Sequence, residues 1–104
     1  MHVNITARHC EIPDTLRARA ESVLDRLGNY GLELVDGAVV FDVEATSQRA
    51  EIRLRAVTGD MVVAKDDGPD HRTALDRAED KLKRQLKKLA RRLRQRRRPE
   101  ADAV

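Results

Sequence analysis

Leu75, Leu82, Leu86, Leu89 and Leu93 fall within about 60° of one another on a helix of 3.6 residues per turn. A stripe that narrow gives a long helix one dry side. Lys81, Arg84, Lys88, Arg91 and Arg92 form one flank of the remaining circumference, and Lys83, Lys87, Arg94 and Arg98 form another. Such a helix must bury one line and stay solvated everywhere else. A coiled coil is one way to bury it, but with Leu75, Leu82 and Leu89 at the first core position the second would hold Ala78, Gln85 and Arg92. Two polar members in three make a poor seam, so the leucines are expected to pack within their own chain.

The surface they pack on is written in the preceding residues. His2 to Ala7 alternates with period two, as do Val39 to Ala45 and Ala50 to Ala56, the last being the cleanest strand pattern in the chain. Met61 to Lys65 reads as a fourth strand whose inward face is ambiguous, because Met61, Val62, Val63 and Ala64 are all apolar. Asp66, Asp67, Gly68 and Pro69 read as a break before the last helix, with Asp70 as its cap. Between the first two strands, Leu16, Ala20, Val23, Leu24 and Leu27 recur at helical spacing after Pro13 and Asp14. Gly28, Asn29 and Gly31 offer the left-handed conformation that ends helices. The expected fold class is therefore α+β, in the order β-α-β-β-β-α. Most strands pair as antiparallel hairpins, and the two helices cover the same face of a four-stranded sheet.

At 104 residues the chain suits one domain, expected to bury roughly 65% of its unfolded surface. The reading is a single domain over 1–98 with a short tail over 99–104. Cys10 is the only cysteine, so no internal disulfide is available, and no secretion signal is legible at the N-terminus. No apolar stretch approaches the roughly 20 residues that span a bilayer. A soluble, cytoplasmic protein is expected.

Charge points to the partner. From Lys81 to Arg98 there are eleven Lys or Arg and no acid, whereas Met1 to Asp80 holds ten Lys or Arg against sixteen Asp or Glu. A helix that is merely soluble intersperses acids at i, i+4, where like charges cost about 0.2–0.5 kcal/mol per pair. Here Arg84 has only Asp80 within a turn, and Arg91 faces Lys87, Lys88 and Arg94. That tolerated repulsion implies a polyanion that neutralises it. The only aromatic residues are Tyr30 and Phe41, which disfavours reading single-stranded bases by stacking. Entry of the helix into a DNA major groove is disfavoured too, because its first turns carry Asp70, Asp76, Glu79 and Asp80. Phosphate contacts on structured RNA, made by the later turns, fit best. The leucine-and-basic pattern also suits a membrane surface, but a folded domain already needs the leucine face.

His2, His9, Cys10 and His71 match no zinc spacing, and Asp66, Asp67 and Asp70 are explained by a turn and a cap. No phosphate-cradling glycine loop or activated nucleophile is present. No enzyme activity, metal, cofactor or small-molecule substrate is expected.

Several stretches carry a resemblance. Ile12-Pro13-Asp14-Thr15-Leu16-Arg17 is similar to the start of the first helix in the ribosome hibernation-promoting factors, also called ribosome-associated translation inhibitors. Arg26-Leu27-Gly28-Asn29-Tyr30 is similar to the exit from that helix, and Ala50-Glu51-Ile52-Arg53-Leu54 to the third strand. Asp80-Lys81-Leu82-Lys83-Arg84-Gln85-Leu86-Lys87-Lys88 resembles the family's DKLxRQLxK signature. The resemblance covers about residues 1–95. It implies binding in the decoding region of the small ribosomal subunit, with the mRNA path and tRNA sites occluded in idle or stressed cells. The positions matching the basic signature are Lys81, Arg84 and Lys88, with Arg26 on the first helix; Arg91 and Arg92 extend the flank by helix geometry. The implied partners are the small subunit and its rRNA, with room for an accessory ribosome-dimerising factor and none for a membrane. His71-Arg72 stand where family members commonly have Met-Tyr, and the chain looks like a short form lacking the second domain of long members. A general structured-RNA-binding or ribosome-assembly module is the alternative.

Overall fold

A computed structural model describes residues 1–96; Arg97, Arg98 and the tail expected over 99–104 lie outside the described residues. The elements are β1 (His2–Ala7), α1 (Asp14–Leu27), β2 (Leu34–Val43), β3 (Gln48–Ala56), β4 (Met61–Gly68) and α2 (His71–Arg96). They form the expected β-α-β-β-β-α fold, with one four-stranded sheet ordered β1-β2-β3-β4. β2, β3 and β4 pair as antiparallel hairpins, whereas β1 pairs parallel to β2, with α1 as the crossover between them.

Both helices lie on one face. Leu16, Ala20, Val23, Leu24 and Leu27 of α1 share a single core with Val39, Phe41, Ala50, Ile52, Leu54 and Ala64 of the sheet and Leu75, Ala78, Leu82 and Leu86 of α2. Leu89 is buried as well and Leu93 half-buried, so the leucine stripe is the inward line of α2. The ambiguity in β4 resolves with Val62 and Ala64 inward and Met61 and Val63 on the open face.

Two strands run further than their alternation suggests. β2 begins at Leu34 rather than Val39 and stops at Val43 short of Ala45. The register with β3 shifts between Leu34 and Asp36, which breaks the period of two, and Gly37 gives that stretch no apolar side chain to count. Gly37 is small for a reason: a Cβ there would stand 2.9 Å from Met1 Sδ, 3.2 Å from Leu24 Cδ2 and 3.3 Å from Leu54 Cδ2. β4 continues through Asp66 and Asp67 to Gly68, where a break was expected. Asp66 pairs with Ala50 and Asp67 with Arg49, whose Nε donates to Asp67 Oδ1 at 2.8 Å. The carboxylates are bound to basic side chains, so residues that usually mark a turn stay extended.

The helix ends follow from local chemistry. Asp70 Oδ1 accepts the Thr73 backbone N–H at 2.7 Å, the expected cap of α2. α1 starts at Pro13 with no side-chain cap and ends in tight bonds from Gly28 N to Asp25 O and Asn29 N to Arg26 O. Of the three candidates for a left-handed exit, Gly28 is right-handed, while Gly31 takes a φ of +79°. At the start of α2, His71 Nε2 donates to Asp42 O at 2.9 Å, and its ring meets Phe41 edge-on with centroids 5.4 Å apart. That histidine thus ties α2 to the end of β2. Cys10 is half-buried beside it, its Sγ 4.0 Å from His71 Nε2 and donating to Phe41 O at 3.8 Å; burial pushes the thiol up from its ordinary value, with the charge of Asp42 adding to the effect.

Candidate nucleic-acid interface

α2 presents three kinds of surface besides its leucine line, distinguished by what its charged groups touch. Toward α1 they are paired. Arg19 Nη2 donates to Asp76 Oδ1 at 2.9 Å, while Arg26 donates from Nε to Glu79 Oε2 at 3.1 Å and from Nη2 to Oε1 at 3.2 Å. Lys83 Nζ stands 3.7 Å from the same Glu79 carboxylate. The Glu79 side chain is only 7% exposed, and a buried carboxylate needs such partners. The hydrogen bond and charge of Glu79 hold Arg26 even more firmly protonated than a free guanidinium.

Toward β4 the groups are again engaged. Lys81 Nζ donates to Lys65 O at 3.1 Å and lies 3.2 Å from Asp66 Oδ2. Arg77 Nη1 donates to Asp67 O at 2.9 Å, and Gln85 Nε2 to Val63 O at 3.0 Å. The Asp66 carboxyl is held below its usual range, first by the Asp67 backbone N–H and then by Lys81.

The third surface faces away from the domain. Arg84, Lys87, Lys88, Arg91 and Arg92 are exposed, and among the described residues none of them makes an ion pair or a hydrogen bond to another side chain. Asp80, one turn before Arg84, does not pair with it. Arg84, Lys87, Lys88 and Arg91 occupy an arc of about 100° opposite the leucine line and about 10 Å long, with Arg92 beside them on the β4 flank. The leucine packing beneath leaves these side chains no direction but outward.

Of the six residues expected to contact RNA, Arg84, Lys88, Arg91 and Arg92 come together on this ridge. Arg26 and Lys81 do not: they lie on opposite sides of α2, each against a carboxylate of its own chain. Lys87 sits on the ridge although the wheel had put it on the second flank. The signal that would have found it is the absence of any acid within a turn.

The open face of the sheet is different in kind. The arginines of β3 are matched in place: Arg55 with Asp36, Arg53 with Glu51 at 2.8 Å, and Arg49 with both Asp67 at 2.8 Å and Glu44 at 2.7 Å. Phe41 is buried under the helices and Tyr30 follows α1, so no aromatic platform stands on that face. Among the described residues, no group of three or more His, Cys, Asp or Glu is placed to hold a metal ion, and no helix is long and apolar enough to cross a membrane.

What this arrangement can do is bind phosphates along a line. Five outward cations on three consecutive turns fit a phosphate chain, and nothing on the ridge reads base edges beyond what arginine can do.

The chain is similar to known proteins. The family described as Sigma 54 modulation protein / S30EA ribosomal protein matches residues 3–94. A ribosome hibernation promoting factor of Pseudomonas putida is 35% identical over 88 residues, covering 85% of each chain. One from Azotobacter vinelandii is 35% identical over 86 residues, covering 83% of this chain and 79% of the relative. The solved N-terminal domain of Protein Y from Thermus thermophilus superposes with a TM-score of 0.74 at 33% identity, over 86% of this chain and 99% of that one. The match runs from β1 almost to the end of α2 and includes the turns that carry the ridge, and on that ground the chain belongs to the family of ribosome hibernation-promoting factors.

Proposed function

We propose that the protein is a cytoplasmic hibernation factor that binds the decoding region of the small ribosomal subunit and blocks mRNA and tRNA there. Residues 1–98 act as one ribosome-binding domain, and inhibition is steric: the domain fills space that substrates need, with no chemistry of its own. The observation that carries this reading is the outward ridge of Arg84, Lys87, Lys88, Arg91 and Arg92, a stretch of α2 that contains no acidic residue. Family membership supplies the ribosome as target, and the ridge supplies a means of holding rRNA.

Phosphate recognition of this kind weakens with salt. Five contacts give a loss of affinity of about 500-fold between roughly 50 and 200 mM, taking the duplex coefficient. The deciding experiment is co-sedimentation with small subunits, large subunits and whole ribosomes, with and without tRNA. Saturable small-subunit binding displaced by tRNA is the expected result. Equal binding to any structured RNA, unaffected by tRNA, would replace this reading with a general RNA-binding or ribosome-assembly module.

A further inference from the structure

Arg77, Lys81 and Gln85 are four residues apart on α2, and the carbonyls they reach, Asp67, Lys65 and Val63, are two apart on β4. Four residues of helix advance about 6 Å and two residues of strand about 6.6 Å, so the antiparallel elements match rung for rung. β4 is an outer strand of the sheet, and its outward carbonyls would otherwise stand open. Asp66 completes the row: its Oδ1 accepts the Asp67 backbone N–H at 2.7 Å while its Oδ2 faces Lys81.

We infer that Lys81 is a positioning residue, which fastens α2 along the β4 edge and so holds the outward cation ridge in place without itself touching RNA. This rests on the reading that the ridge binds rRNA. Lys81 has its ammonium between a carbonyl at 3.1 Å and a carboxylate at 3.2 Å, so its donors are already engaged within the chain. Releasing it would leave Asp66 Oδ2 without its cation and uncover Lys65 O. Arg84 and Lys88, its neighbours three and seven residues on, have no such commitments and extend into solvent.

Substitution by glutamine separates the two roles, because Gln85 shows that a glutamine on this face reaches a β4 carbonyl. Lys81→Gln removes the charge and keeps a donor; Lys81→Ala removes both. Affinity of the full chain for small ribosomal subunits is measured across a salt series, and amide exchange of β4 and α2 is measured on the free proteins. Lys88→Gln serves as the ridge control, where loss of one phosphate contact lowers the salt slope by about 0.9 and the response between 50 and 200 mM by about 3.5-fold.

The expected result is that Lys81→Gln binds with the parent affinity and salt slope, whereas Lys81→Ala shows faster exchange along β4 and the middle of α2. A slope lowered by about 0.9 in Lys81→Gln overturns the inference, because Lys81 is then a phosphate contact. Unchanged exchange in Lys81→Ala overturns it too, because the rung then fastens nothing. If Lys88→Gln leaves binding unaltered, it is the RNA reading of the ridge that fails, and the exchange data still judge the fastening.

Discussion

Arg26 on α1 and Glu79 on α2 are joined by two hydrogen bonds, Nε to Oε2 at 3.1 Å and Nη2 to Oε1 at 3.2 Å, across 53 residues of sequence. The guanidinium is half-exposed and the carboxylate is not, so the arginine satisfies a charge that the helix pair has enclosed.

Arg26→Ala leaves Glu79 with Lys83 alone, at 3.7 Å. The expected loss is about 1–3 kcal/mol of stability, the usual penalty for an enclosed group that loses its hydrogen bonds. Urea unfolding measures it, and Arg26→Ala combined with Glu79→Gln should recover part of the loss. If the single variant is as stable as the parent, Glu79 is not enclosed in the way described.

Replacing Arg84, Lys88, Arg91 and Arg92 by Gln should move binding and stability in opposite directions. Like charges one turn apart cost about 0.2–0.5 kcal/mol per pair, so the variant should melt at or above the parent temperature. Its affinity for small subunits should fall steeply, with a salt slope flatter by about 3.6 from four lost contacts. Sedimentation and a thermal melt on the same sample check both halves; undiminished binding would remove the ridge from the interface.

Leu82 is fully buried on the inward line of α2 within the core shared by both helices and the sheet. Leu82→Ala should cost about 2–5 kcal/mol, a large share of a small domain's total stability of about 5–15 kcal/mol. The urea midpoint should drop accordingly, whereas Leu82→Met, close in volume, should cost less than about 1.5 kcal/mol.

Acid should act on the junction of β4 and α2. Asp66, Asp67 and Asp70 all have carboxyls held below the ordinary carboxylate range, by the Asp67 N–H, by Arg49 and by the Thr73 N–H respectively. A carboxyl whose folded value is depressed contributes stability that is fully present above its unfolded value and lost as pH falls through the folded one. The protein should therefore hold its stability from neutral pH down to about 4–5 and lose it below. Asp70→Asn, which keeps a capping oxygen, should match the parent at pH 7 and lose less on acidification; a thermal melt series over pH 2–7 tests this.

The elements most legible in the sequence were those whose period is uninterrupted. Ala50 to Ala56 and the leucines of α2 alternate or recur without a break, and Asp70 stands where a cap belongs. The N-terminal half of β2 was not legible because the shift at Leu34–Asp36 and the bare Gly37 remove the alternation. The end of β4 was hidden by Asp66 and Asp67, whose strand character depends on Arg49 and Lys81. The ridge was visible as a shortage of acids, which is a local property. The occupations of Arg26 and Lys81 were not, because their partners lie 53 residues away in one case and 15 or 16 in the other.

The division of charge along α2 bears on how the molecule arrives. Its N-terminal half carries Asp76, Glu79 and Asp80 among its cations and its later turns only cations, and Arg94 and Arg96 in the last turn suit the helix's own dipole. The described chain is elongated, 57 Å by 24 Å by 18 Å. In the field of a polyanion, unlike charges set apart on one rod feel a torque before any contact forms. With rRNA as the proposed partner, that torque would turn the last helical turns forward while the protein is still at a distance, and the first collision would fall closer to a bound pose.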